Sequence, residues 1–362
     1  MKAVVCKELN KITVEEVTLD PPKAGEVRIK VAAAGVCHSD LSMTNGTMPA
    51  PLPMVLGHEA AGVVASVGDG VTHVTPGDHV VLSFVPTCGD CFHCLRDEAF
   101  LCQAIPATGT YADGTKRVRQ GDTEFSSMTA LGAMAEEAIC PAISVVPIDK
   151  DIPLPLAALV GCGVTTGVGA VIKTAKVPPG ASVAIFGCGG VGLAAIQGAR
   201  LAGAGQVIAI DAAASKEEFA RQCGATDFVD ASQTDPVAAL RERTGGVGVD
   251  YAFEAIGIAS VMEQAHKATR RGGTAVIIGM GKFKDTVKLD AWMLPLMAKK
   301  LVGSFYGNVN PRVDFPRLLE LHRRGKLDLA SLVTKTYTID EAPQAFDDMQ
   351  KGVNARGVIV FD

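Results

Sequence analysis

From residue 182 onward, short aliphatic runs (SVAIFG, QVIAID, DFVD, VDYAFEAIG, GTAVIIG and LVGSFYG) alternate with helical stretches at 190–203, 215–223, 259–270 and 290–300. Strands this apolar need burial on both faces, which a parallel sheet covered by helices provides. Six of them match a doubly wound fold, here spanning 164–306. The first strand runs straight into GCGGVG at 187–192 and then into a helix. In that context Gly187, Gly189 and Gly192 shape a loop whose backbone approaches a pyrophosphate at the helix's positive end. Asp211 closes the next strand, nineteen residues past Gly192. A carboxylate there accepts hydrogen bonds from ribose hydroxyls and repels a 2′-phosphate, so the expected cofactor is NAD rather than NADP.

The remainder of the 362 residues has a different texture. In GEVRIKVAAA, 25–34, Val27, Ile29 and Val31 alternate with Arg28 and Lys30, which reads as a half-buried strand. Up to about 150, short apolar runs are cut by VGDG, TPGD and ADGT, the pattern of an irregular β-rich domain. After about 307 the mixed texture returns, with helices expected around 314–324 and 340–350 and a closing strand GVIVF. A net charge of −5 without a long basic run excludes a nucleic-acid surface. The stretches 152–172 and 181–199 carry no charge but are interrupted by glycine, and read as buried core rather than membrane spans. Charged residues interrupt the first sixteen positions before any signal-peptide core, so the expected location is cytoplasmic.

Ten cysteines in such a chain point to metal or catalysis before disulfides. Cys88, Cys91, Cys94 and Cys102 put four soft ligands on one loop, a set that suits tetrahedral zinc. An iron–sulfur run is the alternative, although the seven-residue gap before Cys102 and the absence of a following proline differ from the ferredoxin pattern. A reactive zinc needs about three protein ligands and an open position. Candidates are His58 and Glu59 in GHE, Cys37 in VCHSD and Cys162 in GCGVTTG. Spacing alone does not join segments so far apart.

GHEAAGVVASVGDGV at 57–71, the four-cysteine loop, GCGVTTG and GCGGVG occur together and in this order. The chain thereby resembles the zinc-dependent medium-chain alcohol dehydrogenases over essentially its whole length. The resemblance implies an α/β protein with a GroES-like β-rich catalytic domain, 1–163, carrying the structural zinc loop 88–102. An NAD-binding Rossmann domain, 164–306, and a return to the catalytic domain, 307–362, complete it. It also implies two zinc ions per chain, the catalytic one held by Cys37, His58 and Cys162 with Glu59 just behind. Asp40 matches the aspartate that orients the zinc histidine, and Ser39 the hydroxyl that bonds the alcohol oxygen. Phe84 and Met134 match the substrate pocket. Cofactor contacts carry over to His38, Thr166, Gly190, Val191, Ile278, Lys216 and Arg356, the last two near the ribose and the pyrophosphate.

Two departures qualify the match. Ser42 stands where many members carry the histidine that ends the proton relay, and His38 where several carry an arginine. The entrance SMTNGTMPAPL, 42–52, bears no charge. With Met43, Met48 and Phe84 it points to uncharged primary alcohols rather than S-(hydroxymethyl)glutathione. A nicotinoprotein that retains its cofactor and uses an external acceptor is the other reading of the same fold. The 60-residue interval from Cys102 to Cys162 resembles the long, dimeric form of the family, with the region Leu301–Tyr306 expected to pair across a twofold axis.

Overall fold

The alternation at 25–34 becomes the strand Glu26–Gly35, with Val27, Ile29 and Val31 buried and Lys30 exposed. A computed structural model describes residues 1–104 and 109–361. The strand is central to a seven-stranded sheet: it pairs antiparallel with Ala60–Val67, Glu137–Pro141 and Gly357–Val360. A second, six-stranded sheet runs from Ile12–Glu16 through Lys2–Cys6 to Thr18–Leu19. The core of this part includes Ile29, Leu56, Leu82, Met128 and Phe346. These elements belong to one unit, Met1–Gly163, Asn310–Arg324 and Val333–Asp362.

The other unit is Val164–Val309 with Gly325–Leu332. Its sheet is parallel throughout, in the spatial order 227–230, 206–211, 182–186, 249–254, 269–277, 300–303. Numbered along the chain, that order is 3-2-1-4-5-6, the doubly wound dinucleotide arrangement. Ala184, Phe186, Ile208, Ile210 and Ala252 fill the core on one side. The charge-free stretch 181–199 resolves into the strand Ser182–Phe186 and the helix Gly190–Leu201. Among the described residues, no single helix is long and apolar enough to cross a membrane.

Three local expectations are corrected. The helix read over 290–300 is only Met293–Met297, because Asp290 caps its start and Ala298 ends it in a left-handed conformation at φ 48°. A helix not expected, Pro236–Arg243, is set by Asp235, whose carboxylate accepts from Val237 N, followed by proline at the first helical position. The tail after 307 does not return in one piece. Residues 325–332 join the second unit, where the buried amide of Gln197 holds both the N–H and the C=O of Asp328 at 2.8 Å.

Candidate active site

Cys37 follows the central strand and precedes the helix His38–Thr44. His58 and Glu59 lie just before the strand Ala60–Val67, in a turn made by Gly57 at φ 100°. Cys162 sits between the turn Leu159–Gly161 and the helix Gly163–Gly169. The fold thus brings together what spacing could not: the donor atoms of Cys37, His58, Glu59 and Cys162 all lie within 4.8 Å of one another, and all four residues are buried.

Each donor is aimed by a neighbour. The Asp40 carboxylate, fully buried, lies 3.3–3.4 Å from His58 Nδ1 and accepts from Gly57 N at 2.9 Å. That leaves His58 Nε2 buried without a hydrogen-bond partner, an orphan a metal ion would satisfy. Glu59 is drawn the other way, its Oε2 accepting from Gly163 N at 3.1 Å and from the buried guanidinium of Arg356. A Cβ on Gly35 would collide with Glu59 Oε1, so the glycine is demanded by the carboxylate. Sequence reading missed Gly35 and Gly163 because nothing marks them in a chain with 39 glycines.

The charges within the cluster suit a divalent cation. A hydrogen bond from Cys162, against the opposing effect of burial, holds the Cys37 thiol well below its usual range, and His58 and Arg356 assist. The same bond, with burial, raises Cys162. Burial pushes His58 down, but Asp40 and the Cys37 thiolate outweigh it and raise the imidazole well above its ordinary value. A divalent cation binds thiolate and neutral imidazole, so its binding here would release any proton these ligands carry.

In the cysteine loop the Sγ atoms of Cys88 and Cys94 are 3.9 Å apart, those of Cys91 and Cys102 3.9 Å, and those of Cys102 and Cys88 3.6 Å. A tetrahedron with Zn–S arms of about 2.3 Å has edges of about 3.8 Å. The four sulfurs converge on one point, which suits a single ion rather than a cluster whose thiolates each bind a separate iron. The Cys94 amide pulls Cys91 down to about 6, and a hydrogen bond with Asp90 pushes Cys88 up to about 12.

The three glycines of the nucleotide loop have different reasons. Gly187 has φ 96°, and a Cβ on Gly192 would collide with the Gly187 carbonyl. Gly189 is extended, at φ −83° and ψ −175°, and a Cβ there would meet nothing within 4 Å. Neither backbone nor packing requires that glycine, and the open space beside it lies at the helix start where the expected pyrophosphate would sit. Gly189→Ala is therefore expected to leave the thermal midpoint unchanged and weaken NADH binding about tenfold or more in a fluorescence titration. Asp211 Oδ2 accepts from Cys188 N at 2.8 Å and pairs with Lys216 at 3.1 Å. Thr166, Gly190 and Val191 are half-buried, and Ile278 N donates to the carbonyl of Glu254.

Phe84 meets His58 edge-on with ring centroids 5.5 Å apart. Ser39, Met43 and Met48 are half-buried, and His38 is exposed. Met134, expected in the substrate pocket, is not there. Its backbone is locked between Val4 and Leu56, and its side chain is 0% exposed within the core, leaving no face for a ligand. Arg356, expected beside the pyrophosphate, has its guanidinium committed to Glu59.

The alcohol dehydrogenase GroES-like domain family matches residues 23–150, and the zinc-binding dehydrogenase family residues 190–324. The chain is 41% identical over 365 residues to an NDMA-dependent alcohol dehydrogenase from Amycolatopsis methanolica, covering 99% of this chain and 98% of that one. It is 40% identical over 367 residues to an S-(hydroxymethyl)glutathione dehydrogenase from Synechocystis, covering 99% of each. Its fold superposes on the crystal structure of benzyl alcohol dehydrogenase from Acinetobacter calcoaceticus with a TM-score of 0.93 at 33% identity, covering 100% of this chain and 99% of that one. By sequence along its whole length and by fold, the chain belongs to the zinc-dependent medium-chain alcohol dehydrogenase family.

Proposed function

We propose that the protein oxidises an uncharged primary alcohol (aromatic, medium-chain or terpenoid) to the aldehyde, reversibly, with hydride transfer to NAD. The observation that carries this reading is the buried cluster in which the donor atoms of Cys37, His58, Glu59 and Cys162 lie within 4.8 Å of one another, with Glu59 Oε2 held by Arg356 and Gly163. Cys37, His58 and Cys162 would hold a zinc ion, which when bound would supply Lewis acidity toward a hydroxyl or carbonyl oxygen. A zinc held by these three residues would keep a fourth coordination position for a substrate oxygen. Asp40 fixes the His58 tautomer, and Ser39 Oγ takes the hydroxyl proton. Ser42 cannot store that proton near neutral pH, so the onward relay runs through water. Asp211 selects NAD over NADP. Phe84, Met43 and Met48 supply an adaptable apolar wall, and likeness to a benzyl alcohol dehydrogenase supports an aromatic substrate.

The test is a metal count and absorbance spectrum of the purified protein, then an NAD-reduction assay. The assay spans benzyl alcohol, hexanol, geraniol and S-(hydroxymethyl)glutathione. We expect two zinc ions per chain and NADH formed from the first three alcohols. Turnover of S-(hydroxymethyl)glutathione alone would overturn the substrate class. The NDMA-dependent relative favours a second reading, in which NAD stays bound and an external acceptor reoxidises it. Tightly held NADH with no net turnover would establish that one.

The metal-binding thiol sets at Cys37 and Cys162 and at Cys88, Cys91, Cys94 and Cys102 support a reducing, cytoplasmic compartment. The strand Lys300–Gly303 ends the parallel sheet, and Phe283, Trp292 and Leu296, in the same unit, are 58–76% exposed. This supports a homodimer. Trp292→Asp combined with Leu296→Asp is expected to convert a dimer to a monomer in sedimentation velocity. A wild-type monomer at micromolar concentration would exclude it.

A further inference from the structure

The parallel sheet reverses its order between Ser182–Phe186 and Val249–Glu254, and ligands of such sheets sit outside the carboxyl ends of the strands at that reversal. Glu254 is the last residue of its strand, in register with Phe186, and is 0% exposed. A carboxylate removed from water is costly unless it is well bonded. Here Oε1 accepts from the amides of Ile256 at 3.0 Å, Gly257 at 2.7 Å and Ile258 at 3.4 Å. Its main-chain carbonyl accepts from Ile278 N at 2.8 Å and Gly279 N at 3.0 Å. Oε2 is buried and has no hydrogen-bond partner.

One residue thus clamps the loops that leave two adjacent strands. The packing around it has no slack: a Cβ on Gly279 would lie 2.7 Å from Oε2, and one on Gly187 would lie 2.5 Å from Ile256 Cγ1. Ile256 therefore rests on the first glycine of the nucleotide loop. Yet Ile256 is 46% exposed and Met280 60%, apolar side chains held out at the edge where a ligand belongs. Burial raises the Glu254 carboxyl while the turn amides oppose it, so its hydrogen bonds are charge-assisted whenever it is ionised.

We infer that Glu254 is a positioning residue for the dinucleotide, clamping residues 256–258 and 278–279 so that Ile256 and Met280 form an apolar rim for a flat heteroaromatic ring. This rests on the NAD-binding reading above.

The experiment compares wild type, Glu254→Gln, Ile256→Ala and the double variant for NADH dissociation constant, thermal midpoint, zinc content and the split between KM for NAD and kcat. Glutamine keeps an oxygen for the three amides but turns Oε2 into a donor with no acceptor, so the NADH dissociation constant is expected to rise about tenfold or more. The loss should fall on KM for NAD rather than on kcat, with zinc content unchanged. Ile256→Ala, at a half-exposed side chain, is expected to raise the dissociation constant about fivefold with the midpoint unmoved. The double variant should be weaker by less than the product of the single effects, because both act through one rim. A lower midpoint with unaltered NADH affinity in Glu254→Gln, or multiplicative effects in the double variant, overturns the inference. If Glu254→Gln does not fold, Ile256→Ala decides: unchanged affinity overturns the inference. Wild-type protein that binds no NAD(H) defeats the functional reading itself, an outcome distinct from variants that bind as wild type does.

Discussion

His58→Ala is expected to halve the zinc content, from two ions per chain to one, and to lower kcat/KM for alcohol by about a thousandfold or more, equivalent to about 4 kcal/mol of transition-state stabilisation. The imidazole supplies the nitrogen of the three-ligand set, and no other described residue within reach replaces it. Alanine leaves the Asp40 carboxylate, 0% exposed, facing a void without its imidazole partner. The companion variant Asp40→Asn keeps all three ligands and removes only the charge behind His58. Its expected loss is smaller, about 10- to 100-fold in zinc affinity or activity. Metal analysis beside steady-state kinetics separates the two. Retention of both ions in His58→Ala would mean that the cluster is not the reactive metal site.

Cys102→Ser is expected to release the other ion and unfold the lobe 88–102 while leaving the nucleotide-binding unit able to bind NADH. The lobe has little core of its own. Phe92, Leu95 and Leu101 are 63, 70 and 37% exposed, and within 88–102 only Ala99 and Cys102 are buried. Two short turns, Cys94–Arg96 and Ala99–Leu101, cannot hold such a segment by packing. Structural zinc binding is worth about 10–16 kcal/mol in small zinc-finger peptides, comparable to the whole stability of a domain. Limited proteolysis reports the outcome directly, with new cleavage in the lobe at protease levels the wild type withstands. A variant with two ions and unchanged proteolysis would show that the sulfurs do not share a metal.

The parts of this architecture legible in the sequence are those fixed by local chemistry. Aliphatic strands separated by helices dictate the parallel sheet, and a strand running into GCGGVG dictates the loop. Four cysteines in fifteen residues need no tertiary information. The reactive cluster is different, because 20 residues separate Cys37 from His58 and another 103 separate it from Cys162. Only the antiparallel pairing of Glu26–Gly35 with Ala60–Val67 brings the first two segments together, and register at that range is not written in spacing. Met134 failed as a pocket residue for the same reason, since its orientation follows from main-chain contacts with Val4 and Leu56. Nothing in the run VDYAFEAIG marks Glu254, whose amide partners at 256–258 are visible only in the folded loop.

The discontinuity of the first unit sets a schedule for its synthesis. The strand Gly357–Val360 lies between Glu26–Gly35 and Lys335–Tyr337 in the sheet, yet it leaves the ribosome more than 300 residues after its older neighbour. At about 5–20 residues per second, that neighbour waits on the order of 15–65 s with one edge open. The segment Val164–Val309 is contiguous and emerges in between, so it has time to form its sheet first. Glu59 meanwhile lacks Arg356, and for that interval only the Gly163 amide holds its carboxylate. Zinc delivered before Arg356 has docked would meet a Glu59 carboxylate with one partner fewer than zinc delivered afterwards.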